Sequence, residues 1–275
     1  MRGMPSYIIY CAFSKKGMVI KMKNSMNDIA FSNEKTFLAE KYLYASDKER
    51  LVALVKKMAD EAYSSVMTAI ESLHEADASK ARSVIERDDL IDETEEIIDQ
   101  ECLYSIAMRQ PMGEDLRFVY AVTKIITDLE RIGDQGVNIA NCSLNLLNCG
   151  ETKEYLRYNE QKPAYEEILS MCSQIKIMYN NLVTAFENEE ESPAHEVIEM
   201  NPIFHETGDK AVNNLVIFAS NINFSEVLDI FTNVLWIVRH LDRVGDHIMN
   251  IAERICFILT GVSSETLKKK QRYKT

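Results

Sequence analysis

The chain carries two copies of one short acidic sequence, LERIGD and LDRVGD, separated by 112 residues. Each copy places two carboxylates four residues apart: Glu130 and Asp134 in the first, Asp242 and Asp246 in the second. Residues at that spacing project from the same face of a helix. Close carboxylates repel each other unless they are protonated or neutralised, and a multivalent cation neutralises them with favourable geometry. The pattern therefore predicts metal binding through oxygen ligands, which suit Mg, Ca, Mn or Fe.

An earlier segment adds two more carboxylates, Asp88 and Asp92, at the same spacing on a second predicted helix. If this helix packs beside the one that carries Glu130 and Asp134, four carboxylates come together. Asn138 and Asn250 extend the two repeated stripes by one further turn and add weaker candidate ligands.

An acidic pair at this spacing is in itself weak support for a metal site. Asp and Glu fill 43 of the 275 positions, so such pairs arise by chance, and most of them mark a solvated helix face. The repeated pairs differ because they recur in register within apolar helices and because each copy includes a glycine, Gly133 or Gly245. Glycine costs a helix interior about 1 kcal/mol relative to alanine. Its recurrence predicts a close approach of backbone or ligand.

The two predicted sites are unequal. Alignment of the two halves places Asn201 where the first half has Asp88, and His205 where it has Asp92. The second half thereby loses two formal negative charges, so we expect a hard cation to bind there more weakly. Asp209, four residues beyond His205, is a candidate for partial compensation.

Composition narrows the class of protein. A net charge of −12 argues against nucleic-acid binding, because the phosphate backbone rewards clusters of Lys and Arg. Hydrophobic residues make up 46% of the chain, with only nine glycines and five prolines, which favours a helical fold. The six cysteines form no CxxC pair, so we expect reduced thiols in a cytoplasmic protein. No apolar run reaches the roughly 18 residues of a membrane span.

Apolar residues at three- and four-residue steps predict six long helices from about residue 47 onward. We expect them from residue 47 to about 74, and over 79–108, 114–148, 162–187, 193–219 and 225–259. Short connections between long helices make neighbours antiparallel. The predicted fold is all-α: two tandem antiparallel three-helix bundles from an internal duplication, over residues 47–150 and 151–262.

The ends of the chain break this pattern. Residues 1–46 are predicted to be an extension without the long helices, containing a small hairpin formed by residues 7–13 and 18–22. Residues 263–275 form a basic C-terminal tail. The single tryptophan, Trp236, stands among apolar residues and is predicted to lie in the core.

The chain resembles the PhoU family over residues 48–261. The resemblance rests on residues 84–92 (VIERDDLID), on RQP at 109–111 with DLR at 115–117, and on the two L-[ED]-R-[IV]-G-D copies. It implies two similar three-helix bundles in tandem, in agreement with the repeat. It also implies metal clusters, often iron, on paired acidic motifs, which carry over to Asp88, Asp92, Glu130 and Asp134 and, in the second half, to Asp242 and Asp246.

The resemblance further implies a non-enzymatic cytoplasmic regulator of phosphate uptake and phosphate-starvation signalling, often a homodimer. Such a protein links a phosphate ABC transporter to a membrane sensor histidine kinase and meets the membrane only through these partners. Fe is the expected metal, with Mn or Mg as alternatives.

Three other readings stay open at the level of sequence. One is a detached regulatory domain of a sodium/phosphate cotransporter. Another is a metal-dependent hydrolase or oxidase that uses the same carboxylates, although no paired histidines lie near Glu130 or Asp134 in the sequence. The third is a metal-free bundle whose acidic stripes bind basic partner segments.

Overall fold

The structure, a computed structural model, describes residues 10–14, 17–21, 26–148, 164–221 and 224–262, with side chains at 45–148, 164–221 and 228–262. The chain divides into two compact units, residues 1–48 and 49–275.

The N-terminal unit contains a hairpin, in which β1 (Tyr10–Ser14) pairs antiparallel with β2 (Gly17–Lys21). This confirms the predicted hairpin, except that residues 7–9 and 22 lie outside the described residues.

The first helix begins earlier than predicted. α1 spans Met26–His74, so the prediction that the helical pattern starts near residue 47 is wrong. Residues 26–46 contain no glycine or proline, and the two residue types that most disfavour helix are therefore absent. Adding a residue to an existing helix is far easier than nucleating a new one, so the helix extends through a segment that lacks a clean apolar stripe.

The second predicted helix is divided in two. α2 (Ala78–Glu86) and α3 (Asp88–Arg109) meet at Arg87, whose φ of −100° and ψ of 0° leave the helical range. The Arg87 amide donates to the Val84 carbonyl, and the Leu90 amide donates to the Arg87 carbonyl, so the chain tightens locally to i→i−3 bonds. The expected single helix over 79–108 is therefore wrong at this point. The break places Asp88 in the first turn of α3, where an acidic side chain is favoured.

The remaining helices lie within three residues of their predicted bounds. They are α4 (Glu114–Asn148), α5 (Tyr165–Asn188), α6 (Glu191–Ser220) and α7 (Phe224–Thr260). The predicted domain boundaries near residues 150 and 262 adjoin or fall within segments outside the described residues. Beyond the N-terminal hairpin the fold is all-α, with two successive three-helix bundles as the sequence predicts, α2 and α3 together taking the place of one helix in the first.

Each bundle buries one face of every helix against its two neighbours. In the first bundle α4 packs against α2 and α3, and Ser143 on α4 donates to the Ala69 carbonyl of α1. In the second bundle α6 packs between α5 and α7. The buried residues are overwhelmingly aliphatic, while acidic and basic side chains occupy the outer faces. Within the described part of the chain, no helix is both long and apolar enough to cross a membrane.

The two bundles meet along α4 and α7. This α4–α7 interface, called the seam below, is apolar except for a few polar pairs. In two of them His240 Nδ1 lies 2.9 Å from Gln135 Oε1, and His247 Nδ1 lies 2.9 Å from Asp128 Oδ1. Farther along, Arg117 Nε donates to the Ile258 carbonyl oxygen over 2.9 Å. The residue numbers of the contacting positions increase along α4 while they decrease along α7, so the two helices run antiparallel. A buried polar pair is satisfied in one register only, which stabilises this alignment.

The described cysteines behave as small apolar side chains. Cys102, Cys142, Cys172 and Cys256 are free thiols. Burial raises the pKa of Cys102 and Cys172 to about 12 and that of Cys256 to about 11. The thiolate is the nucleophilic form, so these residues are inert packing elements.

Candidate metal centre

The first acidic cluster forms where α3 packs on α4. Asp88 and Asp92 lie one turn apart on α3, and Glu130 and Asp134 lie one turn apart on α4. The negative charges of Asp92 and Asp134 both act on Asp88, and those of Asp134 and Asp92 both act on Glu130. The structure thus brings together the four carboxylates that the sequence predicts.

Two members of the cluster are held in an unfavourable environment. Burial is the largest cause that raises the pKa of Asp88, followed by the charges of Asp92 and Asp134. Burial likewise raises the pKa of Glu130, with Asp134 as the next cause, while Arg131 acts in the opposite direction. Both shifts have the sign expected for carboxylates that lose water and face like charges.

Glu95 belongs to this cluster and was missed by the sequence interpretation. Its charge raises the pKa of Glu130 across the helix pair, and its Oε1 accepts a hydrogen bond from Thr127 Oγ1 over 3.1 Å. The signal was present in the sequence, because Glu95 follows Asp92 by three residues and so lies on the same helix face.

One arginine partly neutralises the cluster. Arg131 Nε lies 3.3 Å from Glu130 Oε2, and Arg131 Nη1 lies 3.8 Å from Asp134 Oδ2. Of the five carboxylates in the cluster, Arg131 thus contacts two, and its side chain is more than half exposed. Within the described residues, no three His, Cys, Asp or Glu side chains converge closely enough to enclose an ion. The cluster shares excess negative charge and oxygen-only donors with hard-cation sites, but its side chains form no enclosed ion site.

The repeated glycines mark close helix contacts. A Cβ on Gly133 would lie 2.8 Å from Ile91 Cδ1 of α3. A Cβ on Gly245 would lie 2.6 Å from Cδ1 of the Phe204 ring on α6. At both positions the absence of a side chain on glycine makes room for an apolar side chain of the neighbouring helix. The prediction of a close approach by backbone or ligand is therefore wrong in this respect. These contacts set the spacing of the helices that carry the candidate ligands.

The second cluster is built differently. His205 of α6 lies between the two carboxylates of α7, with Nε2 3.0 Å from Asp246 Oδ1 and Nδ1 3.6 Å from Asp242 Oδ1. Arg239 Nη1 lies 3.2 Å from Asp242 Oδ2. Burial raises the pKa of Asp242, whereas His205 and Arg239 oppose that shift. His205 and Asn201 thus occupy the positions that the carboxylates Asp92 and Asp88 hold in the first half.

The weaker candidate ligands separate into two groups. Asn201 is buried with its Oδ1 unpartnered among the described residues, and the charge of the exposed Asp209 acts on Asp242. These two side chains lie with the second cluster. Asn250 instead donates to Asp128 in the seam between bundles over 3.2 Å, and Asn138 is exposed to solvent.

Trp236 is not a core residue, so that prediction is wrong. Its side chain is 48% exposed and its ring stacks on His240, with centroids 5.9 Å apart. It lies on the solvent side of α7, where it lines an open groove with Arg243 and the second acidic cluster. The apolar residues around it in the sequence, including Val234 and Ile237, fill the buried face of the same helix.

Replacement of Glu130 by Gln is expected to stabilise the metal-free protein at neutral pH. A carboxyl whose pKa is raised by folding binds protons more tightly in the native state. Its contribution to stability therefore falls as the pH rises from the pKa of the unfolded chain through the raised pKa of the native state. Glu130→Gln removes that loss. Urea unfolding with a chelator at pH 5 and pH 7.5 should show a higher midpoint for the variant at pH 7.5 and a smaller difference at pH 5.

Glu93→Gln is the matched control, because it removes one negative charge from an exposed position on α3. An equal gain for both variants would assign the effect to net charge and contradict the proposed repulsion within the cluster.

Comparison with known proteins agrees with this architecture. The family profile of the PhoU domain matches the chain twice, over residues 55–143 and 168–255. Each match falls within one three-helix bundle. The chain belongs to the PhoU family.

Individual relatives extend over most of the chain. A Pseudomonas aeruginosa phosphate-specific transport system accessory protein PhoU homologue is 31% identical over 196 residues, covering 71% of this chain and 76% of the relative. A Clostridium acetobutylicum protein of the same description is 29% identical over 222 residues, which cover 80% and 95% of the two chains.

Solved structures support the same assignment. The crystal structure of PhoU from Pseudomonas aeruginosa matches with a TM-score of 0.72 and 28% identity, over 80% of this chain and all of that chain. The phosphate transport system regulatory protein PhoU from Streptococcus pneumoniae matches with a TM-score of 0.67 over 82% and 98% of the two chains. At 23% identity the second match shows the fold alone.

Proposed function

We propose that this chain is a non-enzymatic accessory regulator of a phosphate-specific transport system. The observation that carries the proposal is the match of the PhoU domain to both halves, together with relatives described as phosphate-specific transport system accessory proteins. We further propose that it acts in the cytoplasm between a phosphate ABC transporter and a membrane sensor histidine kinase. In that role it keeps phosphate-starvation genes off when phosphate is plentiful.

Metal binding is the proposed structural basis of this role. Asp88 and Glu130 have raised pKa values because they are partly buried beside other carboxylates, and a cation would relieve that repulsion. Since the carboxylates come from both α3 and α4, a bound ion would join these helices and favour one arrangement of their surface. Oxygen-only donors suit Fe, Mn or Mg, with Fe proposed first.

The arrangement of histidines favours a regulator over a hydrolase or oxidase. Such an enzyme needs an acid–base group beside its metal. All five histidines of the chain contact residues outside the first acidic cluster. Their partners are Tyr165, Glu191, Asp242 with Asp246, Gln135 and Asp128.

Exposed apolar residues support binding to protein partners, including a second copy of the chain. Leu90, Leu103 and Tyr104 on the first bundle are each at least half exposed. Ile203, Val216 and Ile217 follow them by 113 residues and are also more than half exposed. Exposed apolar side chains that recur at corresponding positions of both bundles are typical of a surface that a binding partner covers.

The proposed role can be tested in the organism that encodes the chain. Deletion of the gene should raise phosphate uptake and switch on a phosphate-starvation reporter in phosphate-rich medium, and re-expression of the intact chain should reverse both. Unchanged uptake and unchanged reporter activity in the deletion strain would contradict the role. Phosphatase and oxidase assays on the metal-loaded protein should give no turnover.

A further inference from the structure

A groove of about 400 Å³ lies in the first bundle between α1 and the junction of α2 with α3. Ser64, Ser65 and Thr68 of α1 line one side of it, and Arg87 lines the other. None of the carboxylates of the first acidic cluster takes part in its walls. Small-molecule sites are typically clefts of about 300–1,000 Å³ with a few placed polar groups, so this groove has the size of a ligand site.

Several polar side chains of this groove are available to a ligand. Within the part of the chain that the structure describes, the hydroxyls of Ser64, Ser65 and Thr68 make no hydrogen bond. The Arg87 guanidinium likewise forms no ion pair with a described residue. Glu61 Oε2, in the same wall of α1, is buried without a hydrogen-bond partner among these residues. A buried acceptor without a donor is unfavourable, so a ligand group that donates to it is favoured.

The corresponding positions of the second half carry larger apolar side chains. The PhoU matches begin at residues 55 and 168, and the sequence VIE stands at 84–86 and 197–199, so the two halves are offset by 113 in this region. At that offset Ser64 aligns with Ile177, Ser65 with Met178 and Arg87 with Met200. Met178 is fully buried, whereas Ser65 lines the groove. The groove therefore follows from residues of the first half and not from the shared fold.

The chemistry of these side chains defines the class of ligand. The Arg87 guanidinium is a planar donor that matches a phosphate group, and serine and threonine hydroxyls both donate and accept, as sugar hydroxyls do. An ionised Glu61 only accepts, so its buried oxygen requires a donor such as a hydroxyl. Asp60, on the same wall, already accepts a hydrogen bond from Tyr179 Oη. A phosphate ion alone would be repelled by both carboxylates and would leave Glu61 without a donor.

We propose that this groove binds a phosphorylated sugar, with Arg87 holding the phosphate and with Glu61, Ser64 and Thr68 holding the sugar hydroxyls. From Glu61 to Thr68 the wall of α1 extends over about 10 Å, which gives room for the sugar beside the phosphate. The ligand contacts both α1 and the α2–α3 junction, so binding favours one arrangement of the helix break at Arg87. This role goes beyond the proposed function and requires no bound metal.

The test is isothermal titration of the full chain with ribose 5-phosphate, glucose 6-phosphate and adenosine monophosphate. A chelator first removes metal, so that no phosphate group binds through an ion. Free ribose and inorganic phosphate are the comparison ligands. We expect at least one of the three phosphorylated compounds to bind with a Kd below about 1 mM, and about tenfold or more tightly than either comparison ligand.

The variant Ser64→Ile/Arg87→Met fills the groove with the side chains that the second half carries at these positions, and should weaken binding by about tenfold or more. Arg87→Met alone should remove the preference for the phosphorylated sugar over the free sugar. Arg82→Met is the matched control, because it removes the same charge from an exposed position of α2 outside the groove and should bind as the parent does. Circular dichroism confirms that the variants fold.

Three results would overturn the inference. The first is that none of the phosphorylated compounds binds. The second is equal binding by the parent and the Ser64→Ile/Arg87→Met variant, which would place the ligand outside the groove. The third is equal affinity for inorganic phosphate, which would make Arg87 part of a simple anion site. Each of these results would leave the proposed regulatory function standing.

Discussion

Phe204→Ala is expected to lower the free energy of unfolding by about 3–5 kcal/mol, which is the usual range for removing a fully buried aromatic ring. Phe204 has no exposed surface, and its ring fills the space left open by Gly245 on α7. Loss of the ring leaves a cavity at the helix contact that positions His205 beside Asp242. Urea unfolding followed by circular dichroism measures the change.

The neighbouring residue provides the control. Ile203 lies next to Phe204 on α6 but is 61% exposed, so Ile203→Ala should change stability by less than about 0.5 kcal/mol. A loss below about 1 kcal/mol for Phe204→Ala would contradict the packing described for the second bundle.

A substitution at Gly245 tests the same contact from the other side. Gly245→Ala places its Cβ against the rigid Phe204 ring and should destabilise the protein by about 1–3 kcal/mol. Gly133→Ala, at the corresponding position of the first half, comes closer than 3.4 Å only to the terminal Cδ1 of Ile91 and should be nearly neutral. In the Phe204→Ala background the sign at Gly245 should reverse, because alanine then fills space and favours the helix by about 1 kcal/mol.

The double variant Asp88→Asn/Asp134→Asn should lose the metal of the first half almost completely. It removes one carboxylate from each helix of the pair while keeping the size of both side chains. Elemental analysis by mass spectrometry should find near-stoichiometric Fe, Mn or Mg in the untagged parent chain, purified without chelators, and should show the loss of that metal in the variant. Because the substitutions also relieve repulsion at Asp88, the variant should fold at least as stably as the metal-free parent.

Two further variants assign the metal to its half of the molecule. Asp242→Asn/Asp246→Asn alters only the second cluster and should leave the first-half metal in place. Asp89→Asn/Glu93→Gln removes the same charge from exposed positions of α3 and should keep full metal content. Metal-free parent protein, or equal metal content in parent and Asp88→Asn/Asp134→Asn variant, would make the first cluster an ordinary charged surface.

The repeat itself determined most of the architecture. Two acidic copies 112 residues apart require two similar structural units, and the three- and four-residue apolar spacing requires helices. Both are local properties of the chain, so α4 to α7 agree closely with prediction. The four-residue spacing likewise predicts that Asp88 and Asp92 share one face of α3, and that Glu130 and Asp134 share one face of α4.

The sequence-based predictions were wrong or incomplete where the structure of a residue depends on more than the periodicity of its own helix. The apolar sequence around Trp236 predicted burial, but only one face of α7 meets the rest of the molecule and Trp236 lies on the other. The early start of α1 followed from the absence of helix breakers rather than from an apolar stripe. The spacing of Glu95 from Asp92 puts it on the acidic face of α3, but only the packing of α3 on α4 shows that it lies close enough to act on Glu130.

The sequence by itself therefore determined the duplication, the helices and the identity of the acidic residues, because spacing along one helix sets which side chains share a face. Only the tertiary structure decided how the two clusters differ. His205, Asp242 and Arg239 come from two helices, and their mutual distances depend on the close packing at Gly208 and Gly245. Helix periodicity says nothing about such distances, because they are set by the side chains that separate one helix from the next.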